Sequence, residues 1–190
     1  MKYLIKDINE FSNIELNNFY NTIYKQKKDR ISKYKNKITK KQGIVGEILL
    51  SKLLKKYYNI DYNICTIEEN INGKPYITNY NIYFNISHKD NIVICAISKN
   101  EIGVDLERVK NINLNTIKVF ATKNEQDYIL SNQKNIFNRL FKIYTLKEAY
   151  IKLHGNSIIN IKSFDVLKIN TNLISIKQIY YKDFIISIIK

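Results

Sequence analysis

The stretch "YFNISHKDNIVICAISKNEIGVDLERV", residues 83 to 109, decides the fold. Three apolar runs, at about 82 to 87, 91 to 98 and 102 to 107, are separated by short polar turns, which predicts three consecutive strands. Side chains alternate between the two faces of a strand. Asp105 and Glu107 therefore share one face of the third strand, and Val104 and Leu106 point into the core.

The pattern on either side of this stretch predicts an α+β protein. A strand over residues 1 to 7 precedes helices at 15 to 29 and 39 to 58, and two further short strands are expected at "YNICTI" and "KPYIT". After residue 110 we expect helices at 114 to 130 and 134 to 154, then strands near 163 to 169, 173 to 180 and 184 to 189. Two helical blocks flanked by strands indicate two similar α+β halves, 1 to 100 and 101 to 190.

Composition narrows the class of protein. The chain has 190 residues, 45% hydrophobic content and a net charge of +14, and its longest apolar runs are too short to span a bilayer. The N-terminus lacks a secretory pattern, and the two cysteines lie far apart, so we expect a soluble cytoplasmic monomer without disulfides or zinc. Residues 25 to 41 hold nine Lys or Arg and one Asp. Such a run predicts an anionic partner, or else a solvated surface of a Lys-rich chain.

Carboxylates supply the candidate chemistry. Asp105 and Glu107 repel each other unless a cation or proton lies between them, and oxygen ligands of this kind favour Mg²⁺ or Mn²⁺. The helical segment 138 to 155 places Glu148 and Lys152 on one face, one turn after Tyr144. Each feature alone is also explained by solvated surface charge. Together they predict that Glu148 reaches the Asp105 and Glu107 strand.

Five motifs together resemble the 4′-phosphopantetheinyl transferases of the Sfp type. They are "GKP" at 73 to 75, "FNISH" at 84 to 88, "IGVDLE" at 102 to 107, "FATKNE" at 120 to 125 and "YTLKEAYIKLHG" at 144 to 155. Their order and approximate spacing match the family over nearly the whole chain. The resemblance implies two similar α+β halves with the active site at their junction. It also implies transfer of the phosphopantetheine arm of coenzyme A to a serine of an apo acyl or peptidyl carrier protein, with release of adenosine 3′,5′-bisphosphate.

The resemblance also implies roles for individual residues. Asp105, Glu107 and Glu148 would bind the metal in the C-terminal half. Glu148 would be the general base, either directly or through a metal-bound water, and Lys152 a catalytic cation. Residues implied to bind coenzyme A, some at its phosphates and some beside the adenine, are Lys27, Arg30, Lys41, Gly73, Lys74, Pro75, Ser87, His88, Lys147 and Lys152. Lys27 and Arg30 are implied to bind the 3′-phosphate.

The chain departs from the family at three positions. Tyr144 stands where Trp is usual, Gln42 where a basic residue is usual, with Lys40 or Lys41 as its substitute, and Lys89 where Ser is common. Two other functions compete with the transferase. A metal-dependent nuclease would use the same carboxylates, but common enzymes of that kind carry Glu-x-Lys on the strand. A basic RNA-binding module would interleave aromatic and basic residues on its strands, and these strands are mostly Ile-rich.

Overall fold

The three strands predicted over residues 83 to 109 belong to two different sheets. We describe a computed structural model of residues 1–155 and 160–190. Its Cα positions form two compact units, Met1–Asn100 and Glu101–Lys190.

The first unit contains one long helix and a three-stranded antiparallel sheet. Its strands are β1 (Lys2–Asp7), β2 (Ile67–Glu69), β3 (Pro75–Ile77), β4 (Tyr83–Lys89) and β5 (Ile92–Ser98). Its helices are α1 (Asn13–Tyr20), α2 (Lys25–Ser32) and α3 (Lys37–Tyr58), with 3-10 turns at Ile8–Glu10 and Tyr62–Ile64. The main sheet has the order β1-β5-β4, β2 and β3 form a separate hairpin, and α3 packs on β5.

The second unit repeats the long helix and the three-stranded antiparallel sheet. Its strands are β6 (Gly103–Arg108), β7 (Ile176–Tyr181) and β8 (Phe184–Ile189), in the sheet order β6-β8-β7. Its helices are α4 (Ile117–Phe120), α5 (Lys123–Leu130) and α6 (Ile136–Leu153), with 3-10 turns at Leu114–Thr116, Gln133–Asn135 and Val166–Lys168. The long helix α6 packs against β6 and β8.

Both units share one topology, which confirms the α+β prediction with two similar halves. In each, a first strand (β1 or β6) is followed by a long helix and, later in the chain, by a hairpin (β4–β5 or β7–β8). The first strand pairs with the last strand of that hairpin. Each unit has its own apolar cluster beneath its long helix. None of the helices in the described ranges is both long and apolar enough to cross a bilayer.

Four sequence-based elements were wrong in detail. The strand expected at "YNICTI" is mostly a 3-10 turn, Tyr62–Ile64, which the bond from the Cys65 amide to the Tyr62 carbonyl closes, and β2 begins only at Ile67. The helix expected over 15 to 29 is two helices, because the Thr22 amide and hydroxyl both donate to the Phe19 carbonyl and end α1. The helix expected over 114 to 130 is broken at Thr122, whose side chain caps α5. The strand expected near 163 to 169 is a 3-10 turn. Its alternating pattern is misleading because the Phe164 carbonyl and Val166 amide bond to buried side chains instead of a neighbouring strand.

Candidate active site

The two predicted carboxylates of β6 do share a face of their strand. Asp105 pairs across the sheet with Ser187 and Glu107 with Ile185, both on the central strand β8. Asp105 is only 5% exposed, and Glu107 is half-buried near the end of the strand. Burial of a charged carboxylate is costly unless a nearby positive charge or hydrogen-bond donors stabilise it.

Gly103 allows α6 to lie directly against this strand. A Cβ atom on Gly103 would lie 2.0 Å from the Ala149 carbonyl oxygen and 2.5 Å from the Leu153 backbone nitrogen. Only a residue without a side chain permits that approach. The neighbouring helix positions carry Glu148 and Lys152, so the close contact brings the predicted helix residues to the carboxylates of β6.

Lys152 supplies part of the compensating charge. Its Nζ donates a hydrogen bond to Asp105 Oδ1 over 2.6 Å. Burial of Glu148 and the charges of Asp105 and, to a lesser extent, Glu107 raise the pKa of its carboxyl above the usual range, and Lys152 opposes the shift. Asp105 and Glu107 thus act electrostatically on Glu148, and a shared ligand for the three carboxylates stays a prediction.

Tyr144 borders the same cluster from one turn earlier on α6. Its burial, followed by the charges of Glu148, Glu107 and Asp105, raises the pKa of the phenol to about 12, so it stays neutral at physiological pH. Its ring packs edge-on against Phe120, with the ring centroids 5.1 Å apart. Tyr144 is therefore an aromatic packing residue at the edge of the acidic cluster.

The donor chemistry of this cluster fits a divalent cation. Asp105, Glu107 and Glu148 offer hard oxygen atoms. Asp105 and Glu107 repel the charge of Glu148, and a bound cation relieves repulsion of this kind. Within residues 1–155 and 160–190, however, no three His, Cys, Asp or Glu side chains are already gathered as a metal-ligand set. Asp105 and Glu107 act electrostatically on Glu148, and Asp105 is hydrogen-bonded to Lys152.

Lys147 does not fit the predicted role in cofactor binding. Its side chain is fully buried, and its Nζ donates to Glu125 Oε1 over 2.9 Å, to Glu125 Oε2 over 2.7 Å and to the Phe164 carbonyl. Glu125 is also fully buried and accepts from the amides of Val166 and Thr122. The pair thus joins α5, α6 and the turn that precedes Val166. Glu125 was missed as a structural residue, although the capping pattern "TKNE" marks it as an acceptor at a helix start.

Loss of this buried pair has a large expected effect on stability. Lys147→Met removes the positive charge and leaves the Glu125 carboxylate buried, which should lower the free energy of unfolding by about 3 kcal/mol. Urea denaturation followed by circular dichroism measures it. Lys123→Met is the matched control, because Lys123 pairs with Asp127 on the exposed surface of α5 and should contribute less than about 0.5 kcal/mol. Equal losses in the two variants would show that the buried pair does not hold the unit together.

In the first unit, α2 presents both predicted phosphate-binding cations, and each is held by a carboxylate. Lys27 Nζ lies 3.3 Å from Glu47 Oε1, and Glu47, on α3, is fully buried. Arg30 donates to Glu69 on β2. Lys27 and Arg30 are three residues apart and so lie on one side of the helix.

The turn between β2 and β3 lies next to Arg30. Gly73 has φ +78°, and a Cβ there would approach Arg30 Nη2 to 3.6 Å. Asn70 fixes the turn, because its side-chain oxygen accepts from the Lys74 amide and its carbonyl from the Gly73 amide. Pro75 begins β3 opposite Glu69. The structure thus brings Gly73 and Arg30 together, as expected if both contact one ligand.

The remaining predicted residues lie around the β4 hairpin and the start of α3. Ser87 is buried and His88 is exposed, and as successive strand residues they point to opposite faces of β4. Lys41 is half-buried on α3. Gln42 is buried, and its amide donates to the Asp90 carbonyl over 2.5 Å, which fastens α3 to the turn between β4 and β5. Gln42 therefore has a structural role in the first unit.

Two family models match the chain in succession. The model described as "4′-phosphopantetheinyl transferase, N-terminal" matches residues 10–100, and the model described as "4′-phosphopantetheinyl transferase superfamily" matches residues 101–187. The chain is 32% identical over 176 residues to the 4′-phosphopantetheinyl transferase gsp of Aneurinibacillus migulanus, covering 92% of this chain and 74% of that protein.

More distant relatives carry related names. The 4′-phosphopantetheinyl transferase Sfp of Bacillus subtilis strain 168 is 28% identical over 151 residues, covering 78% of this chain and 67% of Sfp. A mouse protein named L-aminoadipate-semialdehyde dehydrogenase-phosphopantetheinyl transferase is 25% identical over 171 residues, covering 80% of this chain and 55% of that protein. The chain belongs to the 4′-phosphopantetheinyl transferase superfamily, which confirms the family indicated by its motifs. It is therefore a transferase of the phosphopantetheine arm.

Proposed function

We propose that this protein transfers the phosphopantetheine arm of coenzyme A to a serine of an apo acyl or peptidyl carrier protein, in a reaction that depends on Mg²⁺. The observation that carries the proposal is the cluster of Asp105, Glu107, Glu148 and Lys152 in the second unit. Lys152 bonds to Asp105, and the charges of both β6 carboxylates act on Glu148. A nuclease would require only the carboxylates, whereas the family match covers both units.

Glu148 is the proposed general base. Its raised pKa, caused mainly by burial and by the charge of Asp105, makes it a stronger proton acceptor than an ordinary glutamate. It would take the proton of the carrier serine as the serine oxygen attacks the β-phosphorus of coenzyme A. The bond from that phosphorus to the bridging oxygen then breaks, and adenosine 3′,5′-bisphosphate leaves.

Lys152 is the proposed electrostatic partner of the leaving phosphate. Its Nζ is held on Asp105, and the Lys152 side chain is 31% exposed, so it can approach a ligand while it remains oriented. Asp105, Glu107 and Glu148 would hold Mg²⁺, or Mn²⁺ in its place. When bound, the metal supplies positive charge that offsets the charge of the pyrophosphate.

The cofactor contacts proposed for the first unit involve several segments. They comprise Lys27 and Arg30 at the 3′-phosphate, Lys41, Ser87 and His88 at the phosphates, and Gly73, Lys74 and Pro75 beside the adenine. The contacts of Arg30 with Glu69 and with the Gly73 turn support part of this set. Lys147 is left out because its ammonium is fully used inside the second unit.

A transfer assay tests the proposal. Apo carrier proteins of fatty-acid, polyketide and peptide synthesis are incubated with the protein, coenzyme A and Mg²⁺, and their intact masses are measured. At least one carrier should gain the mass of one phosphopantetheine arm, and the same carrier with its acceptor serine changed to alanine should gain nothing. A folded protein that modifies none of the carriers, or modifies the alanine variant equally, would contradict the proposal.

A further inference from the structure

We infer that Glu47 and Glu69 are positioning residues that hold Lys27 and Arg30 for the 3′-phosphate of coenzyme A. The inference rests on the proposed function and deepens it. Both carboxylates come from elements outside α2: Glu47 from α3 and Glu69 from β2. Each contacts one of the two cations.

Helix α2 is poorly able to hold these cations by itself. It has eight residues, of which four are Lys or Arg and one is Asp. Its first residue follows Tyr24, which makes no side-chain capping bond, and Ile31 is its one buried residue. So short a helix is marginal in isolation, and like charges three or four residues apart destabilise it further. External carboxylates on Lys27 and Arg30 offset that repulsion and fix the helix.

Contacts within the first unit orient the Glu47 carboxylate. Its Oε2 accepts a hydrogen bond of 2.9 Å from the Tyr62 hydroxyl, and its Oε1 faces Lys27. Burial, and next the charge of Glu47, raise the pKa of Tyr62 far above its usual range, so this phenol remains a donor. Glu47 is therefore oriented from one side by Tyr62 and directs its other oxygen at the ammonium.

The cations retain donors for a ligand. An ammonium has three N–H groups and a guanidinium five, so one carboxylate contact leaves most of them available. The Lys27 side chain is 14% exposed and that of Arg30 is 41% exposed, whereas Glu47 has no exposure and Glu69 has 18%. The carboxylates thus lie deeper than the cations that they hold. This is the order expected of a supported anion site.

Calorimetric binding of coenzyme A and 3′-dephospho-coenzyme A tests the inference without requiring transfer. The two ligands differ only in the 3′-phosphate, so a general loosening of the fold weakens both equally and leaves their affinity ratio unchanged. The wild type should prefer coenzyme A. Glu47→Gln and Glu69→Gln should each lower that preference by about tenfold, because each removes a charge-assisted contact from one cation.

Glu68→Gln is the matched control for Glu69→Gln. Glu68 is the preceding residue of the same strand, is exposed and accepts from the Tyr76 hydroxyl, so its change should leave the preference intact. A double-mutant cycle tests the route of action. If Glu47 acts through Lys27, adding Glu47→Gln to Lys27→Met should change the preference by less than about twofold.

The outcomes separate the inference from the proposed function. A wild-type preference that persists or increases in Glu47→Gln and Glu69→Gln would overturn the positioning role and leave the transferase proposal standing. A wild type with equal affinity for both ligands would overturn the inference, since there would be no phosphate site to support, and the carrier assay would judge the transfer separately. If Glu47→Gln fails to fold, Glu69→Gln decides alone, because the Glu69 side chain is less buried than that of Glu47.

Discussion

The Glu148→Gln variant should lose about a thousandfold in transfer rate while it unfolds at the same temperature as the wild type. The amide has the shape of the carboxylate but cannot accept the serine proton at neutral pH. The change also removes the negative charge of Glu148, which Asp105 and Glu107 repel. Stability should therefore be unchanged or slightly increased. Single-turnover transfer to an apo carrier and thermal unfolding measure the two properties.

The control for Glu148→Gln is a charge change at an exposed position of the same unit. Asp127→Asn removes the partner of Lys123 on the surface of α5 and should leave the transfer rate within about twofold. If Glu148→Gln retained more than a tenth of the wild-type rate with saturating Mg²⁺, Glu148 would be neither the base nor an essential metal ligand.

Gly103→Ala should destabilise the second unit by about 5 kcal/mol or prevent it from folding. The added methyl would lie 2.0 Å from the Ala149 carbonyl oxygen and 2.5 Å from the Leu153 nitrogen, and these backbone atoms cannot move unless α6 moves. Any variant that folds must displace α6 from β6. The displacement would separate Glu148 and Lys152 from Asp105, so transfer should be lost together with stability. Chemical denaturation and the carrier assay measure the two losses.

Gly46→Ala provides the comparison for Gly103→Ala. Its new methyl would meet Cγ2 of Ile86 at 2.8 Å, so this branched side chain must rotate but no backbone atom is in the way, and alanine favours the helix more than glycine by about 1 kcal/mol. The net loss should be at most about 2 kcal/mol. Equal stability of the two variants would mean that the packing of α6 against β6 does not require glycine at position 103.

The sequence predicted the large elements because their patterns are strong. The apolar runs of β4, β5 and β6 and the stripes of α3 and α6 led to the α+β class with two similar halves. What failed was local. The segment around Val166 alternates like a strand, but Lys147 and Glu125 satisfy its backbone groups, and a contact between distant side chains leaves no local pattern.

The acidic cluster was also predictable, whereas the supporting charges were not. Alternation along β6 and helical spacing on α6 led to the expectation that Glu148 reaches the strand of Asp105 and Glu107, but they did not predict the bond from Lys152 to Asp105. Neither Lys147 nor Glu47 could be assigned in this way, because each lies in an apolar helix and its partner is defined only by tertiary packing. A charged residue inside an apolar helical run, as in "IVGEILL", is nevertheless a visible signal of a buried ion pair.

The most direct test of a magnesium-dependent transferase is the intact mass of an apo carrier after incubation with metal-stripped protein and coenzyme A. The carrier should remain unmodified in the presence of EDTA and should gain one phosphopantetheine arm when Mg²⁺ is restored in excess. An Asp105→Asn variant should need much more Mg²⁺ for the same gain. Full modification of the carrier without a divalent metal would contradict the proposed role of Asp105, Glu107 and Glu148.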